Sequence, residues 1–175
     1  MGAWSELDTE ISAEVDTTDL NGIINLDDPY GIFEDTKKGA SELIKAIEDG
    51  TKRGLEDIAV RNRSFQQQII AQVCDNPSGM LASSIQEENE DEYKWIVGTI
   101  LNHIYPMSVE YGRGPVYPIN AKALAFYLDG VLVFRKSVGP AKPRPFVAPA
   151  YEKTADISEE LMLRWVNHSI NDITD

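Results

Sequence analysis

The chain has a single cysteine, Cys74, among its 175 residues. An internal disulfide is excluded, and the thiol reads as a small buried apolar side chain. Histidine is nearly as scarce. His103 and His168 lie far apart, and neither has a metal-ligand spacing to Cys, Asp or Glu. Both read as structural or surface residues, and no metal or cofactor is expected. No Gly-x-Ser-x-Gly context surrounds any serine, so a triad drawn through Ser84 or Ser137 would be arbitrary. The carboxylates of 87–92, EENEDE, have nothing apolar between them to divide an acid from a base. The expected class is therefore not an enzyme.

Long apolar runs are also missing. No stretch of about 18 apolar residues exists, so no membrane span is expected. The first residues, MGAWSELDTEIS, lack the basic and apolar regions of a signal peptide. Glu6 stands where a myristoylation motif carries Ser or Thr. A cytoplasmic site of synthesis is the expectation.

Positive charge is in short supply and unevenly placed. Sixteen Lys and Arg face 29 Asp and Glu, for a net charge of −13. Residues 1–35 hold ten acids and no Lys or Arg. Residues 113–144 hold six bases (Arg113, Lys122, Arg135, Lys136, Lys142, Arg144) against one acid, Asp129. Segregated charge of opposite sign points to contact between copies or with a charged partner, the plainer alternative being solvated acids and bases scattered in space.

What is present places an α+β domain over 35–175 behind an acidic arm, 1–34. The arm has apolar residues but no helical repeat, and is expected to lie on its own or a neighbour's surface, ordering on assembly. Residues 35–74 read as a long helix, capped by Asp35 or Thr36. Leu43, Ile44, Ile47, Leu55, Ile58, Phe65, Ile69, Ile70 and Val73 recur at mostly three- and four-residue steps. Gly50 and Gly54 inside it cost about 1 kcal/mol each against Ala, and mark a kink or a close helix crossing. Asn76-Pro77-Ser78-Gly79 ends the pattern, and Met80, Leu81 and Ile85 suggest a short helical turn. EENEDE reads as a solvated loop. Strands are expected at 93–99 and 105–111, followed by a hairpin of 123–128 and 131–137 turning on Asp129-Gly130. The four prolines of 139–149 make a rigid loop, from which Pro145 or Pro149 opens a final amphipathic helix carrying Leu161, Leu163, Trp165, Val166 and Ile170. The expected fold is thus a long N-terminal helix, a small antiparallel sheet with a β-hairpin, and a C-terminal helix packed on the sheet.

Gly112-Arg113-Gly114-Pro115 is not a phosphate loop. It lacks the Lys-Ser/Thr of a Walker loop, and Pro115 has no N–H to offer a phosphate. It reads as a turn that ends a strand at Glu110.

Three blocks resemble the tail-completion family of long-tailed double-stranded DNA viruses, the small neck proteins between capsid and tail. Ser78, Gly79, Leu81, Ser84 and Ile85 match its Thr/Ser-Gly-x-Leu-x-x-Ser-Ile element. Val109, Glu110, Tyr111 and Gly112 match a strand ending Val-Glu-Phe/Tyr-Gly-Thr, with Arg113 in place of the usual small residue. Pro143, Pro145, Phe146, Pro149 and Ala150 match a Pro-x-Pro-Phe-x-x-Pro-Ala lead-in to the last helix. The acidic arm is longer than the family's. The resemblance implies a virion protein of the neck, assembled in the host cytoplasm into a homo-oligomeric ring, commonly of six copies. It would sit between a head-connector protein and the tail tube or tail terminator. DNA would pass through its channel without specific binding, since phosphate contacts depend on Lys and Arg. Glu110, Arg113, Arg135, Lys136, Lys142 and Arg144 are the candidate residues of the subunit or ring interface. The nearest alternative is a tail terminator, and the alternative from another class is a small nucleic-acid-binding module using bases 113–144 and the aromatics among them.

Overall fold

A computed structural model describes residues 8–25, 31, 34–74, 79–101, 104–128 and 130–173. The expected α+β architecture is present. Its axis is the helix α2, Glu34–Val73, which at 40 residues runs about 60 Å. Asp35 and Thr36 lie inside its first turn rather than at its cap. The buried stripe of α2 includes Ala46, Gly50, Gly54, Ile58, Asn62, Gln66 and Ile70 at strict four-residue steps. Such a row forms one ridge of a helix surface. Against it lies the C-terminal helix α5, Val147–Asn171.

The two glycines resolve as a close crossing. A Cβ on Gly50 would stand 2.7 Å from the Val166 Cα, and one on Gly54 would stand 2.7 Å from the Met162 Sδ. Further along, the contact turns polar. Gln66 Nε2 donates to Asn62 Oδ1 (2.8 Å), Asn62 Nδ2 donates to Thr154 Oγ1 (3.0 Å), and Thr154 Oγ1 donates to the Ala150 carbonyl (2.8 Å). Asn62 and Gln66 are fully buried, so these bonds offset a desolvation cost of roughly 1–3 kcal/mol for each group they pair, while Gln66 Oε1 is buried without a partner. At the rim, Asp57 accepts from Arg164 and from the Trp165 indole, again joining α2 to α5.

A three-stranded antiparallel sheet packs on α2. Its strands are β1 (Thr9–Ser12), β2 (Ile85–Asp91) and β3 (Lys94–Thr99), in the order β1-β3-β2. Ile85 and Val97 from the sheet, Ile69 and Ile70 from α2, Leu81 from the short helix α3 (Met80–Ser84), and Phe146 and Ala150 from the start of α5 form one core. Helix α1, Thr18–Ile24, also lies against α2.

Three expectations need correction. The segment 1–34 is not simply an arm. Its residues 9–12 form β1, paired in register with β3, and 18–24 form α1. Thr9 is buried, Ile11 packs against the core, and Glu10 pairs with Lys94 at 3.2 Å. These contacts tie β1 to the sheet of its own copy. The Lys94 ammonium is held above the ordinary lysine range, chiefly by its hydrogen bond to Glu90 and then by that to Glu10. The lysine's contribution to this tie is therefore fully present at neutral pH and is lost as pH rises through that elevated value.

The acidic run 87–92 is strand rather than loop through Asp91. Three of its five carboxylates face cations: Arg63 of α2 stands 2.7 Å from Glu87, Lys52 2.5 Å from Glu92, and Lys94 2.8 Å from Glu90. Exposed charge on a sheet edge also discourages unwanted strand pairing.

Residues 105–111 are not a strand. Ile104–Glu110 is a helix, α4. Pro106 occupies its first turn, where a missing N–H costs nothing, and is buried. Tyr111 N–H still bonds to the Met107 carbonyl, and Gly112 follows with φ +74°. A glycine in the left-handed region just past a helix is a common stop signal.

Candidate assembly surface

Beyond α4 the chain leaves the core as a ribbon. Arg113 and Ala141 exchange backbone hydrogen bonds of 3.0 and 2.9 Å, and Val116 and Val138 exchange two of 2.9 Å. At the base, a Cβ on Gly112 would meet the Ala141 carbonyl oxygen at 2.6 Å and Pro143 N at 2.8 Å. Only glycine fits both this contact and the positive φ, so the GRGP stretch is a backbone clasp against the proline-rich loop.

The ribbon ends in the expected hairpin of β4, Leu124–Leu128, and β5, Val131–Arg135. Leu128 pairs with Val131 and Gly130 has φ +79°, as a two-residue turn requires. Asp129, the other turn residue, lies outside the described residues. The register places Leu124, Phe126, Val133 and Arg135 on one face, and Ala125, Tyr127, Leu132 and Phe134 on the other. Both faces are thus largely apolar. Tyr127 is 73% exposed and Phe134 61%. Among the described residues the hairpin has no substantial packing on any other element, and both edges and one whole face stand open. A two-stranded hairpin is marginal alone in water. Val116, Tyr117 and Ile119, lower on the ribbon, are exposed as well.

The structure separates the six candidate interface residues into three groups. Arg135 and Lys136, at the end of β5, and Lys142 and Arg144, in the loop before α5, are exposed. Arg113 is half-buried, and its Nη1 lies 3.2 Å from the carbonyls of Gly114 and Gly139, stapling the two sides of the ribbon. Glu110 is not on the surface. It is 5% exposed, and its Oε2 accepts from Phe146 N–H at 2.7 Å and Val147 N–H at 3.2 Å. Phe146 precedes α5 and has no capping side chain of its own. Glu110 supplies that cap from 36 residues away and is withdrawn from the interface on that ground.

Sequence reasoning missed this cap, and also a groove between β1 and α5. The groove would have required knowing that β1 is a strand. Its lining includes Thr9, Ile11, Leu55, Ile58, Tyr151 and Met162. Cys74 is half-buried at the edge of the core, and His168 lies exposed on α5 with its Nδ1 3.6 Å from Asp172. His103 lies outside the described residues. Among the described residues, no cluster of three His, Cys, Asp or Glu could hold a metal ion, and no helix is long and apolar enough to cross a membrane. No family model, curated protein or solved structure matches the chain.

Proposed function

We infer that this protein is a structural component of a virion neck, a tail-completion protein that forms a homo-oligomeric ring between the head connector and the tail tube. The observation that carries the reading is the ribbon: apolar on both faces, open on both edges, and basic on a strongly acidic molecule. A surface of this kind is built to be covered by protein. Two of the three family-like blocks support it. Leu81 and Ile85 of the first are core residues, and Phe146 of the third is fully buried at the lead-in to α5. The second departs, since Val109 and Glu110 belong to a helix. A tail terminator capping the tube is the nearest variant of the same role.

Light scattering and negative-stain imaging of the purified protein test this reading. Rings of one size are expected, and a monomer throughout a dilution series would overturn it.

One observation favours a second reading. Tyr111, Tyr117, Tyr127 and Phe134 are exposed among the bases of the ribbon, an arrangement suited to nucleic acid. A net charge of −13 opposes it, because a region of +5 offers few phosphate contacts. Duplex DNA is therefore expected to show no appreciable binding at about physiological salt, where screening still leaves charges within about 8 Å in contact. Fluorescence anisotropy across a salt series checks this. Micromolar binding that falls steeply with salt would favour the nucleic-acid module.

A further inference from the structure

β1 forms one edge of the three-stranded sheet, and among the described residues no strand pairs with its outer side. That edge borders a groove of about 440 Å³ between β1, α2 and the first half of α5. A second hollow continues it past Tyr151 towards Val147 and Tyr111. Thr9 stands where the two meet, more than nine-tenths buried, and its hydroxyl oxygen has no hydrogen-bond partner. The described lining includes Glu10, Glu152 and Glu159 and no Lys or Arg. The groove is thus apolar below, acidic along its rim, and flanked by unpaired strand backbone.

The ribbon of the same chain has the complementary features. β5 has an open edge, apolar side chains on both faces, Arg135 as its last residue and Lys136 just past it. The charge balance points to a second copy as the source of the occupant. Residues 113–144 carry +5 of a total of −13, leaving −18 on the rest of the chain. The lengths agree too. β1 has four residues and β5 five, so one strand edge can cover the other along its whole length.

We propose that β5 of one copy adds to the open edge of β1 in the next, with Leu132 and Phe134 entering the groove, Lys136 following them to its acidic rim, and Arg135 on the opposite face adding to the positive charge brought to that edge. Strand addition of this kind takes affinity from backbone hydrogen bonds and selectivity from alternate side chains. The contact is heterologous, ribbon to groove, so every copy keeps one free surface of each kind until a ring closes. The proposal rests on the self-assembly inferred above, but not on the neck role.

A charge swap tests it, read by sedimentation equilibrium of the full chain with a thermal melt as the folding control. Arg135→Glu with Lys136→Glu, and separately Glu152→Lys with Glu159→Lys, are each expected to weaken self-association at least about tenfold without lowering the melt. All four substitutions in one chain should restore association. If the unaltered chain is a monomer, both this contact and the ring reading fail. If it assembles and both double variants assemble equally well, the groove contact fails and the ring reading stands. Two weakened double variants with no recovery in the fourfold variant would mean that these charges do not face each other, which also overturns the contact.

Discussion

Gly50→Ala is expected to lower the melting temperature by about 4–8 °C, although helix propensity alone favours the change. In an isolated helix, Ala in place of Gly gains about 1 kcal/mol. Here the new methyl would stand 2.7 Å from the Val166 Cα, 3.0 Å from the Trp165 carbonyl oxygen and 3.1 Å from Val166 N. All three are backbone atoms of α5, so no rotamer change can relieve the clash. The helices must separate, and the contacts on either side of residue 50 loosen with them. Overpacking costs roughly 1–3 kcal/mol, occasionally more; contact with three backbone atoms puts this case at about 3 kcal/mol, and less the propensity gain a net loss of about 2 kcal/mol gives the stated shift in a domain of this size.

Gly54→Ala is the internal comparison. Its methyl also comes within 2.7 Å of a neighbour, but the neighbour is the Met162 sulfur, on a flexible side chain. Met162 can move aside while the propensity gain remains, so the melt should shift by less than about 2 °C. A thermal melt followed at a helix-sensitive wavelength measures both. Equal effects at the two positions would mean that residue 50 does not set the spacing of α2 and α5.

These glycines also mark how far the sequence could be read. A long helix over 35–74, a central strand after Tyr93, the hairpin at Gly130 and a final helix were all legible, because each rests on local periodicity or turn chemistry. The glycines could be read as a close crossing or a kink, but not assigned to α5. The buried face of α2 was harder to see. It is carried by Ala46, Gly50, Gly54, Asn62 and Gln66 as much as by Leu55 and Ile58. Apolar periodicity favoured Leu43, Ile44, Ile47 and Phe65 instead, all of which are only half-buried.

Misreadings arose where tertiary partners decide the local state. Tyr105 and Val109 have strand propensity, yet α4 is fixed by a buried Pro106 and by what Glu110 reaches. The run at 87–92 resembles a solvated loop until Arg63, Lys52 and Lys94 are brought beside it. β1 has four residues and an acidic neighbourhood, and only β3 makes it a strand. The candidate assembly surface was half legible. The exposed bases were identified from charge segregation, whereas the groove combines 9–12 with 151–162 and leaves no local trace.

Glu110→Ala should reduce stability by about 3 kcal/mol, a fall of roughly 6–12 °C in the melt. The carboxylate accepts from two consecutive N–H groups at the start of α5, where the helix dipole also favours negative charge. Phe146, whose N–H is one of them, is 0% exposed and part of the core. Removing the acceptor leaves a buried donor with no replacement from water, and each such group costs roughly 1–3 kcal/mol. Glu110→Gln keeps a carbonyl oxygen at the same reach but loses the charge, so about half the effect is expected.

Amide hydrogen exchange separates this cap from a general loss of packing. Phe146 and Val147 N–H should exchange much faster in Glu110→Ala, ahead of amides in the middle of α2. The surface reading of Glu110 makes the opposite forecast. An interface acid would leave the melt and both amides unchanged in the monomer and weaken only self-association. A normal melt with impaired assembly would return Glu110 to the interface and remove the long-range cap from the account of how α5 begins.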